Sequence, residues 1–214
     1  MNTDELIDKL SANIEPVRRR TLALSFGVAV IAAAAAAFGA TLLALGPRSD
    51  FHMSGVLEYL LLKLGFTLGI VSIASWLLTK LSRPGGEWRM RSALALLPFA
   101  AIVVLAGFNL ADAPTSQWET MIVGDTWLKC LVAIPVLAIV PFAVIVSAVR
   151  RFAAPTDLTV TGAFAGLVAG GVSATGYALH CTDDSLAFVA LWYGGTIALC
   201  ALAGALLGPR LLRW

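Results

Sequence analysis

The side chains with the most distinctive chemistry in this sequence belong to its three cysteines and two histidines. Cys181 directly follows His180, whereas Cys130, Cys200 and His52 lie far from them in the chain. Two thiols can form a structural disulfide, act as a reversible redox switch, or bind a soft metal such as Cu(I), Zn or Cd together with imidazole nitrogens. Because the sequence has no Cys-x-x-Cys pair, spacing does not choose among these three alternatives. The candidate sensing residues are therefore Cys130 and Cys181, and the candidate metal ligands are Cys130, Cys181, His180 and His52.

The composition indicates a membrane protein. Of 214 residues, 59% are hydrophobic and only 13% are charged, whereas a soluble domain usually carries about 25% charged residues. This balance excludes a soluble enzyme, a disordered tail and a disulfide-stapled secreted domain. A membrane-spanning helix needs about 20 mostly apolar residues, and six stretches qualify: 22–45, 55–79, 92–111, 127–148, 160–179 and 186–207. We therefore expect an all-α fold, with a polytopic bundle of six transmembrane helices over 21–214 and a cytoplasmic segment, 1–20, before it.

Basic residues are concentrated on one side of this predicted bundle. Twelve of the fifteen lie in segment 1–20, the second and fourth loops or the C-terminal tail: Lys9, Arg18, Arg19, Arg20, Lys80, Arg83, Arg89, Arg91, Arg150, Arg151, Arg210 and Arg213. Lysine and arginine in short loops face the cytoplasm, so both termini are predicted to be cytoplasmic. Cys130 and Cys181 then belong to the outer, periplasm-like side, where unpaired thiols are unusual. Cys200 falls in the middle of the sixth span and is predicted to be a small buried side chain.

Segment 1–20 is long enough to recognise a partner protein. Apolar residues recur along it at spacings of three and four, which predicts an amphipathic helix. Its first fifteen residues are acidic, whereas helices that lie on lipid usually carry Lys and Arg on their polar face. The pattern therefore favours docking into a groove on a basic partner, with a lipid-surface helix and an unstructured leader as alternatives. The predicted docking residues are Asp4, Glu5, Leu6, Ile7, Asp8, Leu10 and Ile14.

Glycines within the last two spans predict close helix packing. They repeat every four residues at Gly162, Gly166 and Gly170 in the fifth span, and again at Gly204 and Gly208 in the sixth. Small residues at this period let two helix backbones approach each other. We therefore expect the fifth and sixth spans to pack tightly together.

The charged residues within and near the spans say less about function than the cysteines do. Glu58 is predicted to be interfacial, and Lys63 either snorkels outward or pairs with a neighbour. The acids of the outer loops are interpreted as what remains once basic residues are kept on the other side: Asp50, Asp112, Glu119, Asp125, Asp183 and Asp184. The sequence has no nucleotide-binding glycine loop, nucleophile elbow or His-Glu-x-x-His motif, so it gives no support for an enzyme.

Several segments together carry a family resemblance. They are the acidic start at 4–10, Pro16-Val17, the glycine-rich run 162–171, Tyr-Ala-Leu-His-Cys at 177–181, Val-Ala-Leu-Trp-Tyr at 189–193 and Gly-Pro-Arg-Leu-Leu-Arg-Trp at 208–214. In these segments the chain resembles the NrsF-type family of integral-membrane anti-sigma factors of proteobacteria. The likeness covers essentially the whole chain and is strongest from residue 155 onward.

This resemblance implies a negative regulator, not an enzyme. A member of the family is expected to hold an extracytoplasmic-function sigma factor at the bacterial inner membrane and to release it under heavy-metal or oxidative stress. The family's two periplasmic signalling cysteines fall on Cys130 and Cys181, and segment 1–20 is the expected sigma contact. The expected partners are that sigma factor and the lipid bilayer, without direct contact to nucleic acid. No resident cofactor is expected, although a soft or heavy metal ion is a candidate signal. A small metal or solute transporter subunit is the alternative function, and a scaffold subunit of a larger complex is a third.

Overall fold

The computed structural model describes residues 19–48, 56–82 and 92–213, together with Thr3 and Glu5. Within these ranges the secondary structure is helical, without a strand, which confirms the predicted all-α class. Glu5 is helical and exposed. The other predicted docking residues of segment 1–20 lie outside the described residues, as does His52.

Seven helices account for most of the described chain. They are α1 (Arg19–Ala44), α2 (Val56–Leu81), α3 (Leu97–Ala111), α4 (Trp118–Val123), α5 (Trp127–Phe152), α6 (Leu158–Ala178) and α7 (Leu186–Leu211). A short 3-10 turn, Ser92–Leu96, leads into α3. These helices form six helical segments that are long and apolar enough to cross a membrane, with α4 and α5 in one segment, Thr115–Phe152. The number and positions of the predicted apolar helices are thereby confirmed.

The short helix α4 is the element that the sequence analysis placed in a loop. It follows a 3-10 turn, Thr115–Gln117, and carries Glu119 in its first turn, where a negative charge suits the helix dipole. The indole Nε1 of Trp118 donates to the carbonyl oxygens of Leu110, at 2.9 Å, and Ala113, at 3.3 Å. These two hydrogen bonds hold the loop against the end of α3.

The six long helices alternate in direction, so the bundle has two distinct ends. The cysteine end holds the C-termini of α1, α3 and α6 and the N-termini of α2, α5 and α7. Here the backbone N–H of Arg48 donates to the carbonyl of Leu179, at 3.0 Å. At the opposite end, the N–H of Ala154 donates to the carbonyl of Ser82, at 3.4 Å. These bonds bring together loops that are distant in sequence.

Helix α6 lies at the centre of the bundle, where it contacts α1, α2, α5 and α7. Small side chains allow this position, because Ala165, Ala169 and Ala174 are buried together with glycines of the same helix. Helix α3 contacts few neighbours and leaves most of its apolar surface exposed. Such an apolar exterior is what a lipid environment tolerates and water does not.

The contact between α6 and α7 is made backbone to backbone. A Cβ atom placed on Gly162 would lie 2.2 Å from the carbonyl oxygen of Gly204, and one placed on Gly204 would lie 2.2 Å from the carbonyl oxygen of Gly162. The buried Cys200 fills the next position along this contact, against Gly166 and Gly170. The predicted tight packing of the last two spans and the predicted buried position of Cys200 are both confirmed.

This packing predicts an asymmetry between two glycines of the same helix. Gly204→Ala forces the backbones apart and should lower stability by about 1–3 kcal/mol, the usual cost of overpacking. Gly195→Ala is the matched control, because a Cβ there meets nothing within 4 Å. Its thermal unfolding temperature in detergent should stay the same or rise slightly, since alanine favours helix. Equal unfolding temperatures for the two variants would contradict the close approach.

Candidate functional site

The structure brings Cys130 and Cys181 together at the cysteine end. Cys130 lies in the first turn of α5, and Cys181 lies in the turn of residues 179–185 that joins α6 to α7. Both thiols are free, and the two residues are only 0% and 1% exposed. They belong to one buried cluster. The two sulfur atoms therefore share a site shielded from solvent.

Asp183 fixes the 179–185 turn to the N-terminus of α5. Its Oδ2 atom accepts hydrogen bonds from the backbone N–H of Thr126, at 2.8 Å, and from the hydroxyl of Thr126. The Thr126 hydroxyl oxygen also lies 3.5 Å from the sulfur of Cys181. Because the N–H of Cys130 donates to the carbonyl of Thr126 at 2.9 Å, Thr126 connects the surroundings of both thiols.

Asp184 fixes the same turn to the ends of α1 and α2. Its carboxylate accepts from Nη1 of Arg48 at 2.9 Å and forms an ion pair with Nζ of Lys63 at 2.7 Å. Arg48 also bonds the second carboxylate oxygen through Nη2. Both cations donate in addition to the carbonyl oxygen of Cys181, at 3.1 Å from Arg48 and 3.3 Å from Lys63. The backbone of the sensing candidate is thus held directly by two buried cations.

The environment of Asp184 changes its acidity. Burial alone would raise the pKa of this carboxyl, but hydrogen bonds and positive charge from Arg48 and Lys63 outweigh it and lower the pKa below the usual value. The side chains of Arg48 and Lys63 are fully buried. Removing one partner of a buried ion pair is strongly destabilising, so the ionised Asp184 stabilises both cations.

Several sequence-based interpretations are decided by these contacts. Lys63 pairs with a neighbour and does not snorkel outward, and Glu58 is exposed. The interpretation of the outer-loop acids as a remainder is wrong for Asp183 and Asp184, since both hold the 179–185 turn. The partners of Asp183 and Asp184 come from helices distant in sequence, so the spacing of residues along the chain does not predict these contacts. The sequence offered one indication of such a contact, because an ionisable residue within an apolar span, such as Lys63, usually pairs with another polar group.

His180 contacts the loop that follows α1. Its Nδ1 atom lies 3.1 Å from the carbonyl oxygen of Gly46. Among the described residues, no three His, Cys, Asp or Glu side chains cluster closely enough to hold a metal ion. Because His52 lies outside those residues, the metal set Cys130, Cys181, His180 and His52 stays a prediction.

Two tyrosines border the thiols. Tyr177 and Tyr193 are buried with ring centroids 6.0 Å apart, and neither hydroxyl has a hydrogen-bond partner within the described part of the chain. Tyr193 ends a π-helical segment of α7, Val189–Tyr193, and such segments often mark functional sites. Nζ of Lys63 lies 5.9 Å from the Tyr193 ring centroid. Sequence reasoning assigned these tyrosines no role.

A polar cavity of about 180 Å³ opens beside the 179–185 turn. Its lining includes the following side chains: Arg48, Thr126, Lys129, Tyr177, His180 and Cys181. Cys130 does not line it. The two thiols therefore differ in access, although both are buried.

Comparison with known proteins identifies the family of this chain. The family described as "Negative regulator of sigma F" matches residues 10–214. The chain belongs to the NrsF family. A curated relative from Azospira oryzae, named probable anti-sigma-F factor NrsF, is 32% identical over 217 residues and is covered, like this chain, over 100% of its length. The anti-sigma-F factor NrsF of Caulobacter vibrioides is 34% identical over 223 residues, again with 100% of both chains covered.

Membership of the NrsF family makes this chain a regulator and not an enzyme. It confirms the resemblance seen in the sequence. The relatives are named for sigma-F, and those names do not specify the extracytoplasmic-function class. No solved structure matches this chain, so the geometry of the thiol site comes from the present structure.

The ion pairs of this NrsF-family protein predict a specific loss of stability. Asp184→Asn removes the carboxylate that pairs with the buried ammonium of Lys63, and removal of one partner from a buried pair costs about 3–5 kcal/mol. Asp112→Asn, at an exposed position of the same end, should leave the thermal unfolding temperature unchanged. A similar temperature for both variants would contradict the structural importance of Asp184.

The ion pairs of Asp184 also predict how the stability of the protein changes with pH. Because the folded-state pKa of Asp184 is lowered, its stabilising contribution is complete above the unfolded pKa, about 3.9. That contribution is lost as the pH falls through the folded-state pKa. Acidification should therefore destabilise the wild-type protein more than Asp184→Asn. Parallel stability profiles of the two proteins below about pH 4 would contradict this assignment.

Proposed function

We propose that this protein is an anti-sigma factor of the bacterial inner membrane that binds a sigma factor through segment 1–20 and releases it when Cys130 and Cys181 are oxidised. The observation that carries this proposal is the burial of both cysteines in one cluster at a turn that is ion-paired to the ends of α1 and α2. Family membership supports the anti-sigma activity. The resemblance of the sequence supports the extracytoplasmic-function class of the partner.

The distribution of charge supports an orientation in the membrane. The described basic residues at the opposite end of the bundle are Arg19, Arg20, Lys80, Arg150, Arg151, Arg210 and Arg213. At the cysteine end the described chain has Arg48, Lys129 and, one turn or more inside α2, Lys63. By the positive-inside rule the opposite end faces the cytoplasm. The thiols then face the periplasm, an oxidising compartment in which they are exposed to oxidants first.

Helix α1 offers a route from the thiols to the docking segment. Arg48 lies shortly after α1 ends at the cysteine end, and α1 begins at Arg19, within the last two residues of segment 1–20. A disulfide between Cys130 and Cys181 would draw the 179–185 turn toward α5 and disturb the contacts of Asp184 with Arg48 and Lys63. Moving an equilibrium from 1:99 to 99:1 takes about 5.5 kcal/mol, and breaking a buried ion pair costs about 3–5 kcal/mol. The two magnitudes are comparable, so loss of these contacts is large enough to contribute most of the switch.

A charge on the apolar stripe of segment 1–20 should abolish partner binding. Leu10→Asp places a carboxylate in the predicted contact face, so the sigma factor should no longer copurify with the full-length protein. Ala12→Asp is the matched control, because on a helix it introduces the same charge on the opposite face. Pull-down from membranes measures both. Copurification that survives Leu10→Asp, or that is lost equally in both variants, would refute docking by this face.

Removal of both thiols should block release without affecting binding. The double variant Cys130→Ser/Cys181→Ser should still copurify with the sigma factor but should not raise transcription from a sigma-dependent reporter when cells are treated with peroxide. Cys200→Ser is the control, since Cys200 packs between α6 and α7 away from the turn. It should respond like the wild type. Normal induction by the double variant would rule out sensing by this pair.

A further inference from the structure

The geometry points to an order of reaction within the thiol pair: Cys181 reacts first with a peroxide, activated by Thr126, Tyr177 and Tyr193, and Cys130 then closes the disulfide. This inference rests on the proposed redox sensing and deepens it, because it assigns different roles to the two cysteines and adds three residues to the site. It follows from differences in access, in proton acceptors and in hydrogen-bond donors around the two sulfur atoms.

Access distinguishes the two thiols. Cys181 lines the polar cavity of about 180 Å³, whereas Cys130 is fully buried and does not line it. A water molecule occupies about 30 Å³ in the liquid, so a hydrogen peroxide molecule fits this cavity. A peroxide that enters here meets the sulfur of Cys181 before that of Cys130.

A proton acceptor lies beside Cys181. The thiolate, and not the thiol, is the nucleophile, so the thiol must lose its proton. The Thr126 hydroxyl oxygen is 3.5 Å from the sulfur, and the hydroxyl proton is already shared with the carboxylate of Asp183. When the proton of Thr126 passes to Asp183, the Thr126 oxygen can accept the proton of the Cys181 thiol. No comparable acceptor is hydrogen-bonded to the side chain of Cys130 within the described chain.

Donors for the resulting negative sulfur are also present. The hydroxyls of Tyr177 and Tyr193 are buried and lack a hydrogen-bond partner among the described residues, and both tyrosines belong to the same buried cluster as the two cysteines. Tyr177 also lines the cavity together with Cys181. A buried hydroxyl without a partner is costly, but it becomes favourable when a neighbouring sulfur acquires charge, because charged acceptors form the stronger hydrogen bonds. The ammonium of Lys63, bonded to the Cys181 carbonyl at 3.3 Å, adds positive charge.

The chemical steps balance with peroxide as the oxidant. The Cys181 thiolate attacks one peroxide oxygen, the O–O bond breaks, and the leaving hydroxide takes up the proton held by Asp183 to give water and a sulfenic acid on Cys181. The sulfur of Cys130 then attacks the sulfur of Cys181, the S–O bond breaks, and a second water leaves with the proton of Cys130. Two thiols and one peroxide give one disulfide and two waters.

Single-thiol variants of the full-length protein test the order of reaction. In a Cys200→Ala background, Cys130→Ser leaves only Cys181 and Cys181→Ser leaves only Cys130. Iodoacetamide, a small neutral alkylating agent, should modify the purified protein that retains Cys181 at least tenfold faster. Equal rates, or faster alkylation of Cys130, would overturn the order.

Substitutions around Cys181 test the activating residues in the variant that retains only this thiol. Tyr193→Phe, Tyr177→Phe and Thr126→Val should each slow alkylation by about three- to tenfold, whereas Thr126→Ser keeps the hydroxyl and should restore the rate. The exposed Tyr59→Phe is the control. The tyrosine variants should keep or raise the thermal unfolding temperature, because each removes a buried hydroxyl that has no partner in the resting state.

The stability measurement separates activation from a structural role. A tyrosine that only packs the core would lower the unfolding temperature on substitution and leave the alkylation rate of the folded protein unchanged, and that result would overturn the inference. The assay contains no sigma factor, so it also separates this inference from the proposed function. Fast, tyrosine-dependent alkylation of Cys181 without any effect of the cysteines on sigma release would refute redox sensing and leave the reaction order standing.

Discussion

The carboxylate of Asp184 pairs with two cations at the cysteine end that are shielded from water. Arg48 and Lys63 are both fully buried, and Asp184 accepts from each of them. Removing a charge from water is so costly that the 179–185 turn must lie over the ends of α1 and α2 whenever these residues are ionised. Cys181 occupies the same turn, and its carbonyl oxygen is bound by the same two cations. The position of Cys181 and the arrangement of the first two helices are therefore one structural property of the molecule.

The neighbouring residue gives the turn a second attachment of a different kind. Asp183 bonds Thr126 at the start of α5, so the turn lies between the helix that carries Cys130 and the pair of helices that leads toward segment 1–20. The close backbone contact of α6 with α7 makes these two helices a rigid support on which the turn is mounted. The attachments of the turn, by contrast, are polar contacts that can exchange partners. Under the proposed function, a change at sulfur acts through these attachments.

The fold was largely predictable, whereas the polar site was not. Lipid requires long apolar helices, so composition alone located six of them, and the glycine period found the contact of Gly162 with Gly204. The pairing of Lys63 with Asp184 joins residues far apart in the chain, and no local pattern encodes such a contact. The approach of Tyr193 to the thiols depends on a π-helical segment, which has no sequence signature comparable to a hydrophobic period. Sequence therefore identified the two thiols but not the groups that surround them.

The proposed sensing of periplasmic oxidants by Cys130 and Cys181 requires that the cysteine end of the bundle face the periplasm. Two exposed reporter positions in a cysteine-free background test it: Ser116→Cys, in the loop before α4, and Thr156→Cys, in the loop before α6 at the opposite end. Such reporters are better probes than the native thiols, which are buried. A membrane-impermeant maleimide should label Ser116→Cys in intact spheroplasts and label Thr156→Cys only after lysis. Labelling of Thr156→Cys, but not of Ser116→Cys, in intact spheroplasts would contradict the account.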